Sequence, residues 1–358
     1  MKRFLSFFLV AAAAYAGNGI CDRHGDAGIA RAPGAFEGRG WRFLIAMDKP
    51  VEPLASAQQG PPKQPQQRYR SRISIYDRGK KSATVIFTAD EIWEAPNWSH
   101  DGKYLLVNSG GNLYRLPVGL TSDGVPHGGT PEKIDLGGTY RCNNDHGFTR
   151  DGKLLAFSAS DAASRVSQVF QATADGKDVK QMTGAATASY FHGWSPDGKW
   201  LAFVGQRNGK FELYRVAAAG GEEQRLTAHG AYDDGPDYTP DGKWIYFNSD
   251  RSGTWDIWRI PADGGGAGDA KAERITSDDL EDWFPHVSPD GKWIVFLSFP
   301  EGTANHNGKM EGVQLRILPI AGGTPQVLTT IFGGQGTINV NSWSPDSRKF
   351  AYVTYEPM

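Results

Sequence analysis

The sequence is poor in cysteine, has no excess of charge of either sign, and lacks long apolar stretches. Two cysteines in 358 residues cannot build a disulfide framework. A single Cys21–Cys142 bridge is all that an oxidising compartment could add. With 38 basic and 40 acidic side chains, a formal net charge of −2, the chain lacks the basic surface of a nucleic-acid binder and the acidic run of a solvating tail. No nucleic-acid partner is expected. Beyond the N-terminal leader no apolar run reaches the roughly 18 residues of a transmembrane helix, so no transmembrane segment is expected either. What the chain does have is 45 glycines, 21 prolines and 42 aromatic rings (11 Trp, 13 Tyr, 18 Phe). That composition is turn-rich yet able to fill a large core.

The first residues read as a secretory leader. Met1-Lys2-Arg3 is a short basic start, and Phe4 to Ala14 is apolar but too short to span a bilayer. Ala14-Tyr15-Ala16 then supplies the small-x-small cleavage pattern. Residues 1–16 are therefore expected to be a signal peptide, and the destination to be the periplasm or the exterior. Residues 17–70, rich in Gly, Pro and Gln, read as an arm or linker, in which Trp41 to Met47 could add a strand.

One sentence is written six times. It begins at Trp98 (WSHDGKYLLV), Phe148 (FTRDGKLLAF), Trp194 (WSPDGKWLAF), Tyr238 (YTPDGKWIYF), Val287 (VSPDGKWIVF) and Trp343 (WSPDSRKFAY), and its turn aspartates recur every 44 to 56 residues. Each copy continues through a second strand, a loop, an alternating third strand such as Glu212–Val216, and a short fourth strand such as Gln224–Thr227. Four short strands per repeat with turn signals between them are the signature of a propeller blade. The Asp-Gly pairs supply the positive-φ positions of a tight turn, so their aspartates are expected to be structural.

The chain ends support a ring. After Asp346 only two strands' worth of chain remains, whereas Ser71–Tyr76 and Ala83–Thr88 form two alternating segments ahead of the first copy. Those segments match the third and fourth strands that the last blade lacks, and pairing them there removes exposed edges. The expected fold is all-β: a six-bladed β-propeller of four-stranded blades over residues 71–358, closed by N-terminal strands.

The WSPDGK-like turns, together with Arg207-Asn-Gly-Lys-Phe-Glu-Leu-Tyr and Arg251-Ser-Gly-Thr-Trp-Asp-Ile-Trp, resemble the TolB-type propellers of bacterial periplasms. The resemblance covers all six blades. It lacks the α/β domain that precedes the propeller in TolB itself. Oligogalacturonate lyases, with a His-rich metal site on the ring, and the lid propellers of prolyl oligopeptidases are related. No G-x-S-x-G elbow is present, which removes the peptidase reading.

The residues just before each repeat converge at one mouth of the channel, opposite the Asp-Gly turns. They include Glu94, Asn144, Asp145, His146, Tyr190, His192, Asp234, Asp237, Asp282, Trp283, His286, Asn339 and Asn341. His146, His192 and His286 fall at nearly equivalent places in three blades and, with the carboxylates, could hold a divalent Mn, Ca or Zn ion. Arg207 and Arg251 occupy equivalent loops and offer forked donors to a ligand, or brace their own loops. His306 and Lys309 lie in a long insertion, Ser298 to Gly312, and Gln335 in a Gly-rich connection. Trp93, Tyr190, Trp255 and Trp283 could stack on sugar rings or simply fill blades.

Two functions follow. The first is a carbohydrate-active lyase or hydrolase. A metal-assisted lyase would use His146, His192, His286 and Lys309, and a hydrolase would use Glu94 and Asp234 as acid and base. The second, implied by the TolB-type repeats, is a non-catalytic propeller binding an envelope protein or a glycan. The concentration of His, Asp and Lys on one rim favours the first. The ligand expected on either reading is a carbohydrate or other small molecule, or an envelope protein.

Overall fold

The computed structural model describes residues 67–358, apart from 161–164 and 208. The leader, most of the arm and Cys21 lie outside the described residues. Six antiparallel sheets follow one another around the ring. Blade one runs Trp93–Trp98, Tyr104–Ser109, Asn112–Leu120 and Glu132–Lys133, with Pro126–Gly128 pairing the far half of its long third strand. Blade two is Arg141–Phe148, Leu154–Ser160, Gln168–Thr173 and Lys180–Gln181. Blade three is Ser189–Trp194, Trp200–Arg207, Lys210–Ala217 and Gln224–Arg225, and blade four is Asp233–Tyr238, Trp244–Ser249, Asp256–Pro261 and Glu273–Arg274. Blade five is Glu281–Val287, Trp293–Phe299, Met310–Pro319 and Gln326–Gly333. The Ser298–Gly312 insertion thus joins its second and third strands, as expected.

Blade six is closed by the N-terminal side of the propeller. Tyr69–Asp77 pairs with Lys349–Pro357 in continuous register from Tyr69↔Pro357 to Asp77↔Lys349, and Ser82–Ala89 forms the outer strand. The propeller therefore begins at Tyr69, two residues before the expected boundary. The innermost strand is shorter than expected, reduced to the bridge Trp343↔Phe350. The backbone ahead of it is held by side chains instead. Asn339 and Asn341 send their amides to Asp145 and Asp237, on other blades.

The six repeated turns share one hydrogen-bond scheme. A hydroxyl from Ser99, Thr149, Ser195, Thr239, Ser288 or Ser344 donates to the aspartate two residues later at 2.6–2.8 Å. The same carboxylate accepts the backbone N–H two residues further on at 3.1–3.2 Å. Between them sits a left-handed residue. In five turns it is glycine, with φ from 68° to 70°, and in the sixth it is Ser347, at φ 60°. The aspartates are structural, as their spacing implies. Between blades, apolar clusters fill the space: Leu155, Phe157 and Phe170 in one, Leu201, Phe203 and Val216 in the next, Ile245, Phe247 and Ile260 in another.

Every regular inner strand carries a bulge. Register slips between Glu94 and Asn97, Cys142 and His146, Phe191 and Gly193, Asp234 and Asp237, and Trp283 and His286. In three of them a residue of positive φ precedes a proline: Ala95-Pro96, Gly235-Pro236 and Phe284-Pro285, at φ 53°, 63° and 53°. Proline cannot donate to a ladder, and a bulge is one of the few strand positions that tolerate it. At Gly235 the fit is tight, since a Cβ would stand 2.5 Å from the Phe284 ring.

Closure gives a direct expectation. A chain starting at Asp90 loses both outer strands of blade six and exposes the whole edge of Lys349–Pro357. It should aggregate or unfold without a cooperative transition in calorimetry, whereas a chain starting at Gln67 should melt like the full-length protein. A cooperative, monomeric 90–358 chain would refute closure.

Candidate functional site

The bulges set what faces the axis. At about 3.3 Å per residue, each inner strand climbs from its bulge to its Asp-Gly turn and presents a polar residue, then an aromatic or aliphatic one, then the turn. On the turn side this forms a cavity of about 320 Å³. Its rim carries His100, Arg150, Pro196, Pro240, Pro289 and Pro345, and its wall Trp98, Phe148, Trp194, Tyr238, Val287 and Trp343. Its floor is Asn97, His146, His192, Asp237 and Asn341. The indoles of Trp194 and Trp343 also pin blades together, donating to Gly147 O at 3.1 Å and His286 O at 3.0 Å on the preceding blade. Trp194 is half-buried: it packs against the Phe191, Leu201 and Phe203 core of its blade and also lines the channel.

The cavity opens on the rim opposite the one expected. The aspartates of the Asp-Gly side were read from sequence as structural. The three histidines were expected to face water and do not. His146, His192 and His286 are only 0%, 5% and 1% exposed. His146 meets Asn108 Oδ1 at 3.2 Å through Nε2, and His286 Nε2 donates to Ile338 O at 2.5 Å. Burial drives both rings down to about 3, so they are neutral and hydrogen-bonded. They do not converge: among the described residues no group of three or more His, Cys, Asp or Glu is arranged to hold a metal ion.

His192 is the exception in charge. Burial opposes its protonation, but Asp234 at 3.1 Å and Asp145 at 3.9 Å outweigh it and raise its affinity for a proton. Asn339 Nδ2 donates to Asp145 Oδ1 at 2.6 Å and to Asn144 O at 3.1 Å. Burial lifts Asp145 to about 6 despite the His192 charge, and lifts Asp237 to about 7. Asp237 Oδ2 accepts the Val287 N–H at 2.8 Å and Asn341 Nδ2 at 2.9 Å.

The remaining expected residues are bound to other partners. Arg251 is locked between Asp233 at 2.9 Å and Asp269 at 3.2 Å, and Arg207 holds Glu223 at 2.8 Å and Ser189 at 3.0 Å. Both brace their loops, with no guanidinium free for a ligand. Glu94 and Asp234 bind different cations, Lys309 at 3.0 Å and His192. The blade-five insertion carries Lys309 across to blade one, and Gly336, next to Gln335, packs against the Glu94 carboxylate. His306 pairs with Glu281 and stacks on Trp283 at 4.5 Å, and Trp283 meets Trp255 at 4.4 Å. Tyr190 borders this aromatic row through Phe211, 6.3 Å away. These rings stack on one another, and the Trp283 Nε1–H has no hydrogen-bond partner among the described residues. Cys142 is buried, and burial pushes its thiol up to about 12.

The TolB β-propeller domain model matches residues 148–330. An uncharacterized protein of Agrobacterium fabrum is 42% identical over 289 residues, covering 81% of this chain and 94% of that protein. The chain belongs to the TolB β-propeller family. Among solved structures, a TolB candidate from Agrobacterium tumefaciens is 42% identical with a TM-score of 0.72, over 81% of this chain and 99% of that one. TolB from Acinetobacter baumannii shares the fold at 21% identity and a TM-score of 0.53, over 74% and 64% of the two chains. Family membership and the propeller agree with the expectation drawn from the repeats.

Two expectations follow for this TolB-family channel. His146→Ala removes a fully buried, bonded ring, and should cost about 2–4 kcal/mol in denaturant unfolding. An unchanged midpoint would return His146 to the solvent-facing role. Asp237 binds its proton more tightly folded than unfolded, so its stabilising contribution is complete below about pH 4 and lost as pH rises through about 7. Asp237→Asn can keep both bonds through its amide oxygen without titrating. Its melting temperature relative to wild type should rise between pH 5 and pH 8, and a flat or falling difference would contradict this assignment.

Proposed function

We propose that this TolB-family propeller is a secreted or periplasmic binding module, without catalysis of its own. It takes an extended segment of an envelope polypeptide in the cavity on the Asp-Gly side. The observation that carries this is how the polar groups are used. The imidazoles and carboxylates that a lyase or hydrolase would need are buried and mostly bonded within the protein, while indole, phenyl and proline groups dominate the wall and rim. Aromatic and apolar walls with a few convergent polar groups suit a side-chain-sized ligand, and 320 Å³ sits at the small end of the usual range of about 300–1,000 Å³. A sugar needs several exposed hydrogen-bonding partners, and here those partners are largely consumed. The relative of 42% identity described as a TolB candidate is in keeping with a protein ligand, and the leader expected at residues 1–16 with an envelope setting.

The test compares a peptide array with a panel of oligosaccharides that includes uronates, with and without added Mn, Ca or Zn. Peptides should bind and shift the fluorescence of the channel tryptophans. Val340→Trp, which fills the cavity, should abolish that binding, and no glycan should be turned over. Turnover of any glycan, or peptide binding indifferent to Val340→Trp, would overturn the proposal.

A further inference from the structure

We infer that the floor of this cavity recognises a cationic side chain, lysine or arginine, on the bound polypeptide; this rests on the peptide-binding reading above and specifies what the peptide must carry. The first support is the charge balance at the axis. Asp145, Asp234 and Asp237 surround a single cation, His192. Three carboxyl groups stand around one imidazole there, and of the three only Asp237 lines the cavity.

Unused acceptors stand there as well. Asp237 is 6% exposed and commits only Oδ2, to Val287 and Asn341, leaving Oδ1 without a hydrogen bond among the described residues. Asn97, at 4% exposure, donates through Nδ2 to His146 O, but its Oδ1 has no partner. Both residues line the cavity. Two buried acceptors without donors cost free energy until a donor arrives, and an ammonium or guanidinium is a donor that also supplies charge.

The wall points the same way. Elsewhere in this molecule indole faces are covered by the chain's own arginines: Arg215 lies 4.3 Å from the Trp200 ring, Arg259 4.2 Å from Trp244 and Arg78 4.3 Å from Trp293. Among the described residues no cation lies over Trp98, Trp194 or Phe148, three of the rings of the cavity wall, whereas Trp343 has Arg78 at 5.5 Å. Aromatic faces around a carboxylate form the kind of cage that binds organic cations.

The rim is close to neutral. Lys103, Lys153, Lys199 and Lys243 each sit 3.1–3.6 Å from the aspartate of their own turn. Arg150 has no carboxylate partner among the described residues. It is exposed and reaches from blade two to blade four, where its guanidinium donates to Pro240 O at 3.5 Å. Arg150 therefore lies over the opening as both a barrier to an incoming cation and a competitor for it.

The experiment titrates the full chain with acetyl-Ala-Ala-Lys-Ala-Ala-amide and with its Arg, norleucine and Glu counterparts, following indole fluorescence. The Lys and Arg peptides should bind at least tenfold more tightly than the norleucine and Glu peptides. Arg150→Ala, a surface change with no folding consequence, should tighten the Lys peptide severalfold, and Asp237→Asn should erase the preference for Lys over norleucine. Equal binding of the four peptides, a preference for Glu, or weaker Lys binding in Arg150→Ala would overturn the inference. If binding still required an open cavity, the peptide-binding reading would survive that result; if no peptide bound, both would fall.

Discussion

A bulge in each regular inner strand, one extra residue in four of them and two in Arg141–Phe148, decides what this propeller can hold at its axis. An uninterrupted strand alternates its faces, so only every second residue could point inward. The bulge breaks that alternation just below the turn side. It lets Asn97, His146, His192, Asp237 and His286 come inward although they do not occupy one repeat position. The strain is visible at Ala95 and Phe284, two residues with a Cβ held at φ 53°. The surrounding packing must over-determine such a conformation for it to persist.

Once the axis is crowded with imidazole and carboxylate, burial determines their chemistry. A neutral histidine is the least costly polar side chain to place there, because one ring nitrogen donates and the other accepts. His146 is used in that way, between Asn108 Oδ1 and Asn97 Nδ2, whereas His286 donates to Ile338 O and its Nδ1 has no hydrogen-bond partner among the described residues. His192 differs only in having two carboxylates within 4 Å, and that contact keeps it charged. One imidazole type thus performs two tasks according to its neighbours, which is why identical residue types in similar sequence positions do not imply a common ligand set.

The blade architecture was legible because it is written in local chemistry. Ser-x-Asp-Gly-Lys is a complete turn, with its hydroxyl, carboxylate and left-handed residue all named in the sequence. Closure was legible because the two terminal segments had complementary deficits. The site was less so. The sequence correctly gathers His192, Asp145, Asp234, Asn339, Asp237 and Asn341 near one another, but gives no direct sign of depth. A histidine on an inner strand looks the same whether it reaches water or an asparagine side chain of the next strand. The side of the channel that stays open was also hidden, since Pro196, Pro240, Pro289 and Pro345 read equally well as turn residues. One signal was available: Pro96, Pro236 and Pro285 stand inside strands, where proline marks a bulge, and a bulge re-aims the side chains that follow it.

The two ends of the channel differ for a reason that bears on function. On the side of the blade connections, the insertion of blade five sends Lys309 to Glu94 and packs Gly308 against Gly334, where a Cβ would collide with the Gly308 carbonyl. His306, Trp283 and Trp255 stack beside it. Those contacts satisfy the residues most able to take part in chemistry and leave that mouth occupied by the chain itself. The turn side receives no such insertion, because its loops are the tight six-fold turns, whose hydrogen bonds fix their length. A ring of minimal turns cannot fold over its own opening, so among the described residues an aromatic wall stays open there, with the side chain of Arg150 reaching across. The feature that makes the repeats recognisable in sequence is therefore the one that keeps the cavity open.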